Sequence, residues 1–451
     1  MTILWDLIKD VGASHKAEHQ VSRGECLEGT REEVLQIIHG WRVPGACVPP
    51  ICWLSGAAGV GKSSIAMSVA KSCEDDGLIS SFFCFRSDPQ RNNPNAMVPT
   101  IAHGLAVTNP SVRQILNKRI TADPSILRAR FEVQFEALVK QPITTVQPSP
   151  EAPNLIIIDG LDECSDELTQ LRILNTIASA YRRSPESPHI PLRFLVCSRP
   201  EVWIRRMFEG PRLVGLAKHI VLDERFDPTQ DIRRFYEHEF REIRESMEYQ
   251  DVPLPNPWPS ESNFNSLVQK SDGQFSYAAT AVRIVKHPYI SPVDQLNIIL
   301  AHHTTSNPSP FAELDHLYHV VLSANPDYNK VLPILSAILI VPTYLEDDRD
   351  DRDFWDDWDD WNNPPGLTPE FIELLLGLSP GEVALRLRGM HSVLSIRGRK
   401  DGIYVYHTSF TDYLCDRARS GDFYIDKHAQ EHFLFYQWLQ ALSFQRFKEY
   451  R

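Results

Sequence analysis

The stretch "WLSGAAGVGKSSIAMSVA", from Trp53 to Ala70, sets Gly56, Ala57, Ala58, Gly59, Val60, Gly61, Lys62, Ser63 and Ser64 between two apolar runs. Glycine in a loop costs conformational entropy, so a loop this rich in small residues answers a need of the backbone. The spacing Gly56-x4-Gly61-Lys62-Ser63 fits the P-loop pattern and stands where that pattern must, after a strand and before a helix. Backbone N–H groups of such a loop and of the helix behind it form a concave anion site that larger side chains would obstruct. Lys62 is placed to reach β- and γ-phosphates, and the Ser63 hydroxyl to ligate magnesium.

Two further stretches supply the rest of a phosphoryl site. In "LIIIDGLDEC", Asp159 closes an apolar run, the position from which an acid can hold magnesium beside the loop. Asp162 and Glu163 follow one turn later, where a carboxylate can polarise an attacking water. In "RFLVCSRPE", Ser198 and Arg199 close a third apolar run and are expected to face the ligand, with Arg199 sensing the γ-phosphate.

These residues need a parallel sheet to bring them together. Candidate strands are "ICWLS" (51–55), "SFFCF" (81–85), "NLIIID" (154–159), "RFLVCS" (193–198) and "HIVL" (219–222), alternating with helical patterns. Their unbroken apolar character suits strands buried on both faces. The expected fold is therefore α/β, a parallel sheet with helices on both faces, followed by a helical domain. After Pro365 the order changes to helix, helix, hairpin, as in a winged-helix module. "SPGEVALRLRGMHSVL" opens with a capping box from Ser379 to Glu382, and "SIRGRKDGIYVYH" holds Asp401-Gly402 in its turn.

The boundaries that follow are 1–20 for an N-terminal amphipathic helix or linker built on Ile3, Leu4, Leu7, Ile8 and Val11, and 21–225 for the nucleotide domain. A helical domain takes 226–325, the winged-helix-like domain 326–425, and a C-terminal helix 426–451. "QPITTVQPSPEAP" (141–153) and "DVPLPNPWPS" (251–260) read as surface loops. "EDDRDDRDFWDDWDDWNNPPG" (346–366) reads as a solvated acidic insertion whose Phe354, Trp355, Trp358 and Trp361 leave room for docking a peptide or partner.

Composition narrows the partners. A net charge of −13 argues against nucleic-acid binding, which needs a basic field. No apolar run is long enough to span a bilayer, and the N-terminus lacks the features of a secretory signal. Cys26, Cys47, Cys52, Cys73, Cys84, Cys164, Cys197 and Cys415 show no paired spacing and read as free thiols of a reducing compartment. A cytoplasmic location is the expectation.

Taken in order, the P-loop, "IIIDGLDEC" and "CSRPE" resemble the NACHT class of STAND nucleotide-binding switches, notably the fungal NLR-like branch related to nephrocystin-type proteins. "CLEGTREEVLQIIHGW" (26–41), "KSDGQFSYAATAVRIV" (270–285) and "HTSFTDYL" (407–414) resemble further segments of that branch. The resemblance implies ATP and ADP with Mg2+ as ligands, slow hydrolysis, protein partners and self-association. It also implies that Gly29, Thr30 and Arg31 lie near the adenine and that His407 touches the β-phosphate of ADP. The residues alone leave two other readings open: a kinase using the same loop, and a scaffold whose nucleotide is structural. They also leave His407 a plain polar residue ahead of a helix capped by Thr408 or Ser409.

Overall fold

The structure, a computed structural model, describes residues 2–17, 24–43, 48–75, 77–86, 88, 90–146, 152–181, 190–246, 253–287, 290–301, 311–325, 328–347 and 367–443. The chain divides into two compact units, Met1–Asp227 and Pro228–Arg451.

The first unit is built on five parallel strands: β1 (Ile51–Gly56), β2 (Leu78–Phe83), β3 (Leu155–Asp159), β4 (Arg193–Ser198) and β5 (Ala217–Leu222). Their order across the sheet is β2-β3-β4-β1-β5. Its helices are α1 (Thr2–Ile8), α2 (Glu32–Arg42), α3 (Lys62–Ser72), α4 (Met97–Thr108), α5 (Pro110–Ala122), α6 (Phe131–Phe135), α7 (Gln141–Thr145), α8 (Glu167–Ala180) and α9 (Val202–Glu209). Alternate residues of β1, β3 and β4 enter two separate cores. Ile51, Trp53, Ile156, Ile158, Phe194 and Val196 pack toward α4, α5 and α8. Cys52, Leu54, Leu155, Ile157, Leu195 and Cys197 pack toward α2 and α3. Helices thus cover both faces, which is why the strands read as unbroken apolar runs.

Several local expectations need correction. β2 runs from Leu78 to Phe83 rather than 81–85, because its partner β3 ends at Asp159, opposite Phe83. Its two serines are satisfied inside the sheet: Ser80 Oγ donates to Thr100 O at 3.3 Å, and Ser81 Oγ accepts from His15 N at 2.9 Å. The N-terminal helix stops at Ile8. The chain then runs beside β2, where Phe83 N donates to Ala13 O at 2.9 Å, with Leu4 and Val11 buried in the sheet's core. Residues 141–145 are helical rather than loop, and a π turn at Glu136–Lys140 precedes Pro142. The wider turn suits a residue with no N–H to give the ladder.

The second unit is mainly helical. Its helices are α10 (Thr229–Glu245), α11 (Glu261–Ser271), α12 (Phe275–Val285), α13 (Pro292–Ala301), α14 (Ala312–Ser323), α15 (Tyr328–Asp347) and α16 (Pro369–Leu376). They continue as α17 (Glu382–Arg386), α18 (Thr408–Leu414), α19 (Arg417–Ser420) and α20 (Lys427–Ser443). Two short antiparallel strands, β6 (Leu394–Ser395) and β7 (Tyr404–Val405), precede α18. Their connection holds Asp401 and Gly402 as expected, but it spans 396–403 and is no tight turn.

The capping box forms by half. Glu382 Oε2 accepts from Ser379 N at 2.8 Å, yet α17 starts only at Glu382, because Gly381 takes a left-handed φ of 84°. The segment 253–260 is not purely surface: Trp258 is buried edge-on against Phe240, ring centres 5.4 Å apart. The acidic insertion lies outside the described residues from 348 onward, as does Cys47. The other seven cysteines are free, and Cys52, Cys73, Cys84, Cys164 and Cys197 are buried.

Candidate nucleotide site

The glycine-rich loop connects β1 to α3 at the carboxyl edge of the sheet, where the strand order leaves β4 on one side of β1 and β5 on the other. Such an edge is the usual ligand crevice of an open parallel sheet. Gly61 caps α3 with φ 95°, a conformation closed to ordinary side chains, and gives the helix no capping side chain. A Cβ on Gly56 would meet Leu222 Cβ and Val60 Cγ2 at 3.0 Å each, so a side chain there would press both neighbours aside by a few tenths of an ångström. Ala57 is exposed and Ala58 buried, while Gly59, Val60, Gly61, Lys62, Ser63 and Ser64 are half-buried around the loop.

Lys62 folds back over this loop. Its Nζ donates to Gly56 O and Ala57 O, both at 2.8 Å. Burial holds its ammonium below the ordinary lysine range; Asp162 opposes that shift, Arg199 reinforces it and Asp159 opposes it. Residues from the ends of β3 and β4 therefore share one electrostatic neighbourhood with the loop lysine, as the spacing of the three motifs implies.

The acidic turn is held firmly. Gly160, with φ 70°, starts a single 3-10 turn, Leu161–Glu163. Asp159 is 1% exposed at the end of β3. Asp162 Oδ1 accepts from Arg199 N at 2.9 Å, and Arg199 Nε lies 3.3 Å from Asp162 Oδ2. Asp162 therefore steadies Arg199. Glu163 Oε2 accepts from Arg86 N at 3.3 Å, and Glu163 is only half-buried. Of the two acids, Glu163 has the more open carboxylate.

Ser198 does not face the crevice as expected. It is fully buried and accepts from Trp53 Nε1 at 2.8 Å, beneath a stack in which Trp53 lies 4.3 Å from Phe208 and 4.0 Å from His219. Strand alternation sends Ser198 into one core and leaves Arg199 at the edge.

Thr30 and Arg31 sit just before α2. Thr30 is buried and its Oγ1 donates to Leu27 O at 2.6 Å. Arg31 adopts a left-handed φ of 55°, next to Gly29 at φ 79°. Its guanidinium donates to Val60 O at 2.8 Å and Phe226 O at 3.1 Å. Arg31 is thus a clamp from the pre-loop segment onto the loop itself.

Sequence reading missed three supports. Arg86, just beyond β2, donates from its guanidinium to Asp162 O at 3.3 Å; its signal is a cation closing an apolar strand. Gln170 Nε2 donates to Cys164 O at 2.8 Å and Asp162 O at 3.3 Å, and Trp203 Nε1 donates to Gln170 Oε1 at 2.8 Å. Neither Gln170 nor Trp203 carries any motif, since both act from outside the strands.

His407 stands in the second unit as the cap of α18. Ser409 N donates to His407 Nδ1 at 3.1 Å, so the cap is the histidine itself and not Thr408 or Ser409. A backbone N–H can only donate, which makes Nδ1 the acceptor and puts the neutral ring's proton on Nε2. Ser409 Oγ also lies 2.6 Å from His407 Nδ1 and 2.6 Å from Tyr318 Oη, and the guanidinium of Arg283 sits 4.1 Å over the Tyr406 ring. The segment 270–285 thus reaches Tyr406, the residue just before 407–414, and α14 contacts both α12 and α18.

Ser63 and Asp159 fit magnesium by donor type. That ion takes one or two protein oxygens and completes its shell with phosphate and water, so it needs no cage. Among the described residues no cluster of three His, Cys, Asp or Glu side chains is placed for a metal.

Residues 29–199 match the family described as Nephrocystin 3, N-terminal. Vegetative incompatibility protein HET-E-1 of Podospora anserina is 26% identical over 159 residues, which are 33% of this chain and 11% of that protein. The chain thus spans about a tenth of that relative's length. Among solved structures, a STAND protein with a tetratricopeptide repeat sensor from Pyrococcus horikoshii aligns with 94% of this chain and 47% of its own, at 13% identity and TM-score 0.42. The RuvB Holliday junction branch migration motor of Thermotoga maritima aligns with 84% of this chain and 94% of its own, at 9% identity and TM-score 0.31. No helix among the described residues is long and apolar enough to cross a membrane. Residues 29–199 of the chain thus carry the nephrocystin 3 N-terminal pattern.

Proposed function

We propose that this chain is a nucleotide-dependent signalling switch that binds ATP and ADP with Mg2+, hydrolyses ATP slowly and self-associates in one nucleotide state. The observation that carries the reading is Lys62, drawn over the loop carbonyls within the field of Asp159, Asp162 and Arg199. A bound polyphosphate would take the ammonium from two neutral carbonyls to charged oxygens, where hydrogen bonds are stronger. It would also relieve the penalty that burial sets on this charge. Loop N–H groups from Gly56 to Ser64 would cradle the phosphates, with Thr30 and Arg31 bordering the base.

Ser63 and Asp159 would hold the magnesium ion, which neutralises charge between the β- and γ-phosphates when bound. Glu163 would accept a proton from the attacking water, while Arg199, held by Asp162, would meet the γ-phosphate. Residues 326–425 would form a winged-helix-like module, with 226–325 as the helical domain between it and the nucleotide unit. His407 Nε2–H would donate to the β-phosphate of ADP. The Podospora relative's part in vegetative incompatibility favours a role in cell-death or immunity-like signalling, in the cytoplasm and with protein partners.

The test is chromatography of small molecules released when purified protein is denatured. ADP is the expected species, and none at all would favour a scaffold. Glu163→Gln separates the chemistry from binding, because the amide is nearly isosteric yet accepts no proton. Affinity for ATP should stay within about twofold while hydrolysis falls on the order of a hundredfold, the usual scale for a general base. Hydrolysis that survives in Glu163→Gln assigns the water to another residue.

A further inference from the structure

The strand order leaves β2 at an edge of the sheet, with β3 on its inner side. A bare strand edge invites pairing with another chain, so folds usually cover it. Here residues 11–16 run along it. Val11 and Ala13 are buried in the core under the sheet, and Phe83 N donates to Ala13 O at 2.9 Å. Leu4 of α1 enters the same core, and the Trp5 ring lies 5.6 Å from His103 of α4.

His15 pins the far end of this segment. Its imidazole is 7% exposed, held between Ser81 of β2 and Glu74, which follows α3. His15 N donates to Ser81 Oγ at 2.9 Å, and that oxygen lies 2.8 Å from His15 Nδ1. A hydroxyl carries one proton. With its oxygen already accepting from the main chain, Ser81 gives that proton to Nδ1. The neutral ring's own proton then sits on Nε2, which lies 3.6 Å from Glu74 Oε2. The other charges acting on the ring are Lys16, which pairs with Glu74, and Lys71 of α3.

A second ring proton would break this arrangement. On Nδ1 it would meet the Ser81 O–H, which would have to turn away in a place where Ser81 is only 1% exposed. Burial lowers the pKa of His15 below the ordinary 6.5; Glu74 opposes the shift and both lysines reinforce it. The docked ring thus binds its proton less tightly than the free one. Docking is therefore strongest above that ordinary value and weakens as pH falls below it.

We propose that residues 11–16 form an acid-released strap on the β2 edge, with neutral His15 as its latch. Release bares the strand edge at Phe83, the register partner of Asp159. This goes beyond the nucleotide reading and does not depend on it.

The readout is hydrogen exchange at the Phe83 amide in the full chain, taken as protection relative to the intrinsic rate at each pH. Between about pH 7.5 and about pH 5.5, wild-type protection should fall severalfold, with about tenfold as the ceiling for one histidine. His15→Asn offers Oδ1 to the Ser81 hydroxyl in place of Nδ1 and does not titrate, so its protection should fall severalfold less. Ser81→Ala removes the latch's partner and should lower Phe83 protection at both pH values while the amides of β1 and β3 keep theirs. An equal fall in wild type and His15→Asn would overturn the proposal. So would Phe83 protection that Ser81→Ala leaves unchanged, because the strap would then be held without this contact.

Discussion

Lys62→Ala should weaken both ATP and ADP by about ten- to a hundredfold, because a charge-assisted phosphate contact contributes roughly 1.5–3 kcal/mol. The unliganded protein should respond differently. Burial lowers the folded-state pKa of Lys62 below its unfolded value, so the unfolded chain holds this proton more tightly. The charged lysine therefore costs stability at neutral pH, and that cost fades as pH rises toward the unfolded lysine value. Alanine removes the cost, so the ligand-free variant should melt no lower than wild type at pH 7. Its advantage should shrink at alkaline pH. Calorimetric titration and melting without ligand give the two numbers. Unchanged affinity would sink the assignment of this loop as a phosphate site, and a large loss of ligand-free stability would make Lys62 a structural pin of its loop.

The parts of the site that share a strand end with a motif were the legible ones. Asp159, Arg199 and Lys62 could be placed from spacing alone, because an apolar run followed by a polar residue can hardly be anything but a strand reaching the sheet's edge. Ser198 escaped that logic by one residue: strand alternation turns it inward to Trp53, and nothing in "VCSRPE" says where the strand's last inward residue falls. The division between Asp162 and Glu163 was equally hidden. Which donor each of the two adjacent acids accepts depends on Arg199 and Arg86, which arrive from two other strands.

Local signals misled where a tertiary partner decided the outcome. Ser80 falls outside the strand read from sequence, yet it joins β2 with its hydroxyl satisfied by Thr100 O. Pro142 looks like a helix end until a π turn makes room for it. The capping box at Ser379 is present in sequence, yet Gly381 takes over the helix start, because a left-handed glycine cap competes with it.

One substitution can separate the cap that His407 makes from the ADP contact proposed for it. Nδ1 accepts the Ser409 N–H and so caps α18, which leaves the ring's proton on Nε2, the nitrogen able to donate to a phosphate. Asparagine is among the best N-caps, and its side-chain oxygen can replace Nδ1 while offering nothing at the position of Nε2. His407→Asn should therefore keep the ligand-free melting temperature. It should lose the clamp, about 1–3 kcal/mol, and so release ADP roughly five- to a hundredfold more readily and raise the open, self-associating fraction. His407→Ala should lose the same ADP contact and, in addition, about 1 kcal/mol of cap stability with or without nucleotide. The measurement is the melting shift at matched ADP excess in the three proteins. A purely structural histidine gives a different pattern: His407→Asn behaves as wild type throughout, and His407→Ala melts lower by the same amount with and without ADP. That pattern would leave the second unit uncoupled from the nucleotide through this residue, whereas a reduced ADP shift in His407→Asn at unchanged ligand-free stability can come only from the lost Nε2 donor.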